Sequence, residues 1–217
     1  MSRLKTGVLV SFSTAFGLLA YFSHRFLYFP VDLRISLWMQ GFNGLLFPIM
    51  YAVSFISSPF PAIGIVTAVV IWLGRSKRRL EAILTGSATA ISVLAIVPAI
   101  KLLVDRPRPS PGLVQVMMLT QGESFPSGHT VYAMVFYGFL FYLTPKLISR
   151  PVLAKALQAL LVVLVGLTMA SRIYLGAHWF SDILGGLFLG GLVLFTTIVI
   201  YCHYSRQPKS VRGGLDA

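Results

Sequence analysis

The sequence predicts an all-α integral membrane bundle of about six transmembrane helices, with an interfacial helical segment after the first span. Two observations carry this. Mean hydropathy is +0.81 and only 11% of residues are charged, whereas a soluble domain carries about 25% charge. The 18 Lys and Arg residues stand mostly in short gaps between apolar runs, as in the loops of a multi-pass protein. The net charge of +12 therefore does not indicate nucleic acid, because the basic residues are spread over loops on both sides of the expected bundle. The single cysteine, Cys202, lies in the last apolar run and supports neither a disulfide nor a thiolate metal cluster.

In chain order, the first span is expected over Thr6–Ser23, a retained anchor after Arg3 and Lys5 that lacks a small-residue cleavage site. His24 and Arg25 end it. Phe26–Ser58 is too broken for a clean span, since it holds Pro30, Asp32, Arg34 and Asn43. Phe42, Leu45, Leu46, Ile49, Met50, Val53 and Ile56 still recur at helical spacing, and Trp38 and Tyr51 suit a headgroup layer. One or two interfacial helices are expected there. Further spans are expected over Phe60–Leu73, Leu80–Leu103, Ser127–Leu143, Pro151–Ala170 and Trp179–Tyr201. The polar stretch Val104–Phe125 separates the third from the fourth. Residues 1–217 form one domain with a motif core at about 80–195, and residues 203–217 form a cytoplasmic tail expected to lack order.

Six alternating spans with an inside N-terminus place Arg3, Lys5, Arg75, Lys77, Arg78, Arg79, Lys146, Arg150, Lys155, Arg206, Lys209 and Arg212 in the cytoplasm. Outside remain Arg25, Arg34, Lys101, Arg106, Arg108 and Arg172. Twelve against six is the direction of the positive-inside rule. Lys101, Arg106, Arg108 and Arg172 run against it, and an anionic ligand would explain them.

Three groups fall on that outer side. In Ser171–Asp182, His178 and Asp182 are four apart, one turn apart on a helix face. The carboxylate can then take the Nδ1 proton and leave Nε2 free. Arg172 stands just upstream. In the second group, Ser127, Gly128 and His129 precede an apolar run. Ser127 suits an N-cap, Gly128 admits a ligand close to the backbone, and a helix N-terminus attracts anions. The third group holds Lys101 and Arg108, seven apart but with prolines between and after them. Singly, each has a plain reading: a snorkelling lysine, an ordinary cap, a chance helix face. Together, Lys101, Arg108, Arg172 and the Ser127 and Gly128 amides can surround a phosphate. His178, with its carboxylate, is then the nucleophile, and His129 the acid. His129, His178, Asp105, Glu123 and Asp182 could instead hold a metal, but the cations would crowd it, so no metal and no cofactor are expected.

These residues resemble the type 2 phosphatidic acid phosphatase family of membrane lipid phosphatases. Lys101, Arg108 and Pro109 match its first motif. Pro126, Ser127, Gly128 and His129 match its second, and Ser171, Arg172, His178 and Asp182 its third. The resemblance covers about residues 80–195. It implies a six-span bundle and metal-independent hydrolysis through a phosphohistidine. It makes His178 the nucleophile, Asp182 its orienting partner and His129 the acid. Lys101, Arg108, Ser127, Gly128 and Arg172 hold the phosphate, and Arg106, of a second Arg-Pro, could assist. The family includes soluble vanadium-binding haloperoxidases, against which the spans here argue. Resemblance to compact bacterial members implies a phosphorylated lipid at the outer face of a bacterial cell membrane, such as undecaprenyl diphosphate, phosphatidylglycerophosphate or phosphatidic acid. The apolar linker Pro111–Glu123 either dips into the interface to admit that lipid or packs on the bundle. A lipid phosphotransferase and a non-enzymatic binding or transport protein are the alternatives. Oligomeric state is not legible.

Overall fold

The computed structural model describes residues 3–42 and 44–206, without the side chains of residues 3–5 and 8. Asn43, and Lys209 and Arg212 of the expected cytoplasmic tail, lie outside the described residues, as do the side chains of Arg3 and Lys5.

The described chain is all helical. Helix α1 is Arg3–Arg25, α2 is Pro30–Gln40, and α3 is Phe47–Ile56 after a short 3-10 turn. Helix α4 is Pro59–Arg75 and α5 is Arg79–Ile91. A π turn, Ser92–Ile96, carries α5 into α6, Val97–Val104. The turn falls just before Pro98, whose ring and missing N–H disrupt a regular α ladder. Helices α7, Gly128–Leu147, α8, Pro151–Tyr174, and α9, Phe180–Ser205, complete the bundle. Proline stands in the first turn of α2, α3, α4 and α8, where its missing N–H costs nothing. Each expected span has its helix, longer by one to four residues at most ends.

By length and composition, three stretches suit a membrane crossing: Arg79–Val104, Pro151–Tyr174 and Phe180–Ser205. Helix α4 is apolar but shorter, and the pair Pro30–Gln40 and Gly44–Ile56 is bent by 80°. The exposed surface is apolar over much of its extent. Phe60 is 89%, Val152 82% and Leu102 73% exposed, as expected when lipid is the solvent. This is a multi-pass membrane protein.

Helix α7 is the centre. Val131, Tyr132, Ala133, Val135, Phe136, Tyr137 and Phe139 are all buried, and α7 packs against α5, α8 and α9. Close approach to α9 depends on glycines. A Cβ at Gly186 would lie 2.8 Å from Thr130 Cβ and 2.9 Å from the Ser127 carbonyl, and one at Gly190 would lie 2.6 Å from Met134 Cβ. Small residues thus let α9 lie directly under the turn that starts α7.

Phe26–Ser58 forms two helices, as expected, but it is built into the bundle: α2 packs on α8 and α9, and α3 on α8. On α2 the buried residues are Asp32, Ser36 and Gln40, spaced by four and so on one face. Its apolar Val31, Leu37 and Trp38 face outward. A polar stripe turned inward is the reverse of a soluble amphipathic helix.

Candidate active site

The stretch Ser171–Trp179 is buried throughout. Helix α8 ends at Tyr174, and Gly176 turns the chain with φ +66°. A Cβ there would collide with the Gln115 carbonyl of the linker, so only glycine fits. Helix α9 then begins, with Asp182 in its first turn accepting the Trp179 N–H at 2.8 Å. That cap fixes the carboxylate beside His178.

His178 Nδ1 lies 3.5 Å from Asp182 Oδ2, long for a hydrogen bond. Ser124 fills the gap. Its hydroxyl donates to Asp182 Oδ2 and lies 3.4 Å from His178 Nδ1. Nδ1–H is therefore held by a hydroxyl and a carboxylate together, which leaves Nε2 bare. Burial, then the charges of Arg108, Arg172 and Lys101, hold the His178 imidazole well below its usual pKa. The ring is neutral, with a free Nε2 lone pair, at physiological pH.

Arg108 faces that lone pair, with Nη1 3.2 Å from Nε2. The same nitrogen donates to the Ala177 carbonyl at 2.8 Å, and Nε and Nη2 donate to the carbonyls of Gly122 and Gln121. Burial lowers its pKa, while Asp182 and Glu123 counter the shift. Lys101 donates to the Glu123 carbonyl. Arg172 Nη1 donates to Ser54 Oγ and lies 3.3 Å from Met118 Sδ, while its Nε is buried without a partner. His129 Nε2 is likewise buried and unpartnered, within electrostatic reach of Arg172, His178, Arg108 and Lys101. Ser127 caps α7, accepting the Thr130 N–H at 3.4 Å. Its own N–H donates to the Asp182 carbonyl, so Gly128 and His129 carry the open amides of that helix start.

The structure thus brings Lys101, Arg108, Ser127, Gly128, His129, Arg172, His178 and Asp182 to one end of the bundle. Arg106 differs from its expected place. Its guanidinium is buried between Asp182 Oδ1 at 2.7 Å and Asp32 Oδ2 at 3.0 Å, and it stacks over Phe29 at 5.2 Å. Its charge is taken up there by two carboxylates, so it does not serve a phosphate. Among the described residues, no three His, Cys, Asp or Glu side chains form a metal-holding group.

Sequence reading gave no role to Asp32, Ser54 or Ser124. Asp32 carried one signal: a charge within a membrane-level segment is functional by default. The linker divides the two alternatives offered for it. Met117 and Met118 pack on Met50, Tyr174 and Leu175, and Val114 is buried, while Leu119 is 92% exposed. A cavity of about 500 Å³ between α2 and residues 111–116 holds none of the histidines or cations of the site.

Fold and site define a multi-pass helical membrane protein with two histidines and three cationic side chains gathered at one end. The family profile described as the PAP2 superfamily matches residues 81–207. The chain belongs to that family. It is 40% identical over 78 residues to phosphatidylglycerophosphatase B of Bacillus subtilis (strain 168), a stretch covering 33% of this chain and 36% of that relative. The crystal structure of the first transmembrane PAP2 type phosphatidylglycerolphosphate phosphatase from Bacillus subtilis matches with a TM-score of 0.75 at 20% identity. That match covers 92% of this chain and 98% of the other. The crystal structure of Aquifex aeolicus LpxE matches with a TM-score of 0.59 at 20% identity, over 79% and 96%.

Proposed function

We propose that this protein is a lipid phosphatase that hydrolyses a phosphate or diphosphate monoester through a phosphohistidine, without a metal. One observation carries the reading: a neutral, buried His178 whose Nε2 faces a fixed guanidinium while Ser124 and Asp182 hold Nδ1–H. Nε2 attacks phosphorus in line. The P–O bond to the lipid breaks, and His129, protonated once the anionic phosphate has offset the surrounding cations, gives its proton to the leaving oxygen. Arg108, Arg172, Lys101 and the open amides of α7 balance charge on the phosphoryl oxygens. Neutral His129 then takes a proton from water, whose oxygen attacks phosphorus. The P–N bond breaks, and phosphate leaves.

The name of the Bacillus subtilis relative favours phosphatidylglycerophosphate, beside undecaprenyl diphosphate and phosphatidic acid. The charge asymmetry supports cytoplasmic termini and a site at the outer face of a bacterial membrane. The exposed Leu119 at the end of the linker supports a lipid entering from the bilayer.

The test is phosphate release from these three lipids by purified protein in detergent with EDTA. Release is expected to survive EDTA and to fall by about 10³-fold or more in His178→Ala. Unchanged release by that variant, or none by the wild type, would sink the assignment. Transfer of label from a radiolabelled donor to an added acceptor lipid would move the reading to a phosphotransferase.

A further inference from the structure

We propose that Asp32 is a positioning residue of this site, acting through Arg106 to keep net negative charge behind His178. The inference rests on the phosphohistidine reading above. Asp32 lies on α2, outside every motif, and touches neither histidine. Its side chain is fully buried, as are those of Arg106 and Asp182. Arg106 Nη1 donates to Asp182 Oδ1 at 2.7 Å and Nη2 to Asp32 Oδ2 at 3.0 Å, while Nε donates to the Leu27 carbonyl at 3.2 Å. Ser181 completes the joint. Its N–H donates to Asp32 Oδ1 at 2.8 Å and its hydroxyl to Asp32 Oδ2 at 2.7 Å, and the hydroxyl accepts from Arg106 at 2.6 Å. Asp32 also accepts the Phe29 N–H that starts its own helix, at 2.9 Å.

The charges decide the role. With Arg106 alone, Asp182 would form a neutral pair and pull weakly on His178 Nδ1–H. Asp32 adds a second carboxylate to the same guanidinium, so the triad carries net charge −1. In a buried setting that charge is little screened. As Nε2 bonds to phosphorus, the imidazole ring becomes positive, and a negative triad stabilises it at that moment. The effect belongs to the transition state, so it falls on kcat rather than KM.

The test compares Asp32→Asn, Arg106→Gln and the double variant with wild type, in detergent, on whichever lipid the wild type hydrolyses. Folding is followed by gel filtration and thermal melting. Asp32→Asn is expected to lower kcat by about 10- to 100-fold with KM within about threefold. Arg106→Gln leaves two buried carboxylates face to face and should be the least stable. The double variant removes one charge of each sign and restores the net −1. Its kcat is expected several-fold above that of Asp32→Asn. Residues in direct contact couple whatever their role, so a merely structural joint is told apart by its readout: it would lower the melting temperature and leave the kcat of the folded variants unchanged. If Asp32→Asn does not fold, a folded double variant within about tenfold of wild-type kcat supports the proposal, and an inactive one overturns it. An unchanged kcat in Asp32→Asn, a change confined to KM, a double variant no better than Asp32→Asn, or failure of both variants to fold would each overturn it. An inactive wild type would instead remove the phosphatase reading itself.

Discussion

Residues 79–205 and residues 26–58 contribute to the site in different ways. The later region contains all three motifs and the histidines and cations that would meet a phosphate. The earlier region has no motif, yet Asp32 holds Arg106, Ser54 receives Arg172, and Gln40 grips the linker. The difference separates chemistry from placement. Two of the groups that would meet a phosphate keep a nitrogen open among the described residues, Arg172 its Nε and His129 its Nε2. Asp32 and Gln40 of α2 and Ser54 of α3 spend their polar atoms on fixing other residues, while the Ser36 hydroxyl has no partner among the described residues. Such groups are costly against lipid, which offers no hydrogen bonds. The polar stripe of α2 must therefore face inward, and there it becomes the frame of the site.

The largest effect that sharpens this contrast is expected at Arg108, which faces Nε2. Arg108→Gln is expected to lower kcat/KM by about 10²- to 10³-fold. It should also change the pH profile in a fixed direction. Arg108 is the largest charge effect lowering the His178 pKa, after burial. Removing a neighbouring cation eases protonation, so the pKa rises towards its ordinary value. Protonated His178 cannot attack, so the acid limb of kcat/KM is expected to move to higher pH. The profile is measured between about pH 4 and about pH 8, where an imidazole titrates. A limb that stays in place or moves to lower pH would refute a role for the Arg108 charge in setting the protonation of His178.

The later region was legible because its chemistry needs specific residue types at fixed spacing. His178 and Asp182 could be paired from a helical interval, and Ser127 could be read as a cap. The interval does not reveal that the direct contact is 3.5 Å and that Ser124 completes it, because that depends on how the start of α7 meets the start of α9. Arg106 and Arg108 show the same limit. Two residues apart and each followed by proline, they differed as sequence only in that the motif spacing selects Arg108. Asp105 ends α6 in a left-handed conformation, φ 47°, and the chain then sends Arg106 inward to the carboxylates and Arg108 to the histidine. The earlier region was read as interfacial because Pro30, Asp32, Arg34 and Asn43 break its apolar run, and no role was given to Asp32, Ser36 and Gln40. Their common face is visible in the spacing, but a polar face turned into a bundle cannot be told from one turned to water without its partners.

Ser124 lies between the two classes and tests where the boundary falls. Ser124→Ala removes the hydroxyl between Nδ1 and Asp182 and leaves a 3.5 Å gap. The carboxylate remains, so the tautomer is held less firmly rather than lost. A fall in kcat of about 5- to 50-fold, with KM nearly unchanged, is expected. A loss as large as that of His178→Ala would make Ser124 part of the reacting machinery. No loss at all would mean that the direct contact with Asp182 suffices.

The smallest effect is expected at Gln40, farthest from the chemistry. Its amide donates to the Gln115 carbonyl at 2.7 Å and the Tyr174 carbonyl at 3.0 Å, and it accepts the Gln115 N–H at 3.0 Å. It thus ties α2 to the linker between the first two motifs and to the end of α8 within the third. Gln40→Ala leaves these linker and α8 groups without those partners, at about 1–3 kcal/mol for each one that stays buried and unsatisfied. The linker should open locally while the bundle holds, because Met117 still bonds the Leu175 carbonyl and packs on α8. Faster proteolytic cleavage within residues 111–123 is expected, with KM up by about 2- to 5-fold and kcat nearly constant. If kcat falls as far as in Arg108→Gln while cleavage is unchanged, residues 26–58 do more than place the motifs, and the separation of chemistry from placement fails at this point.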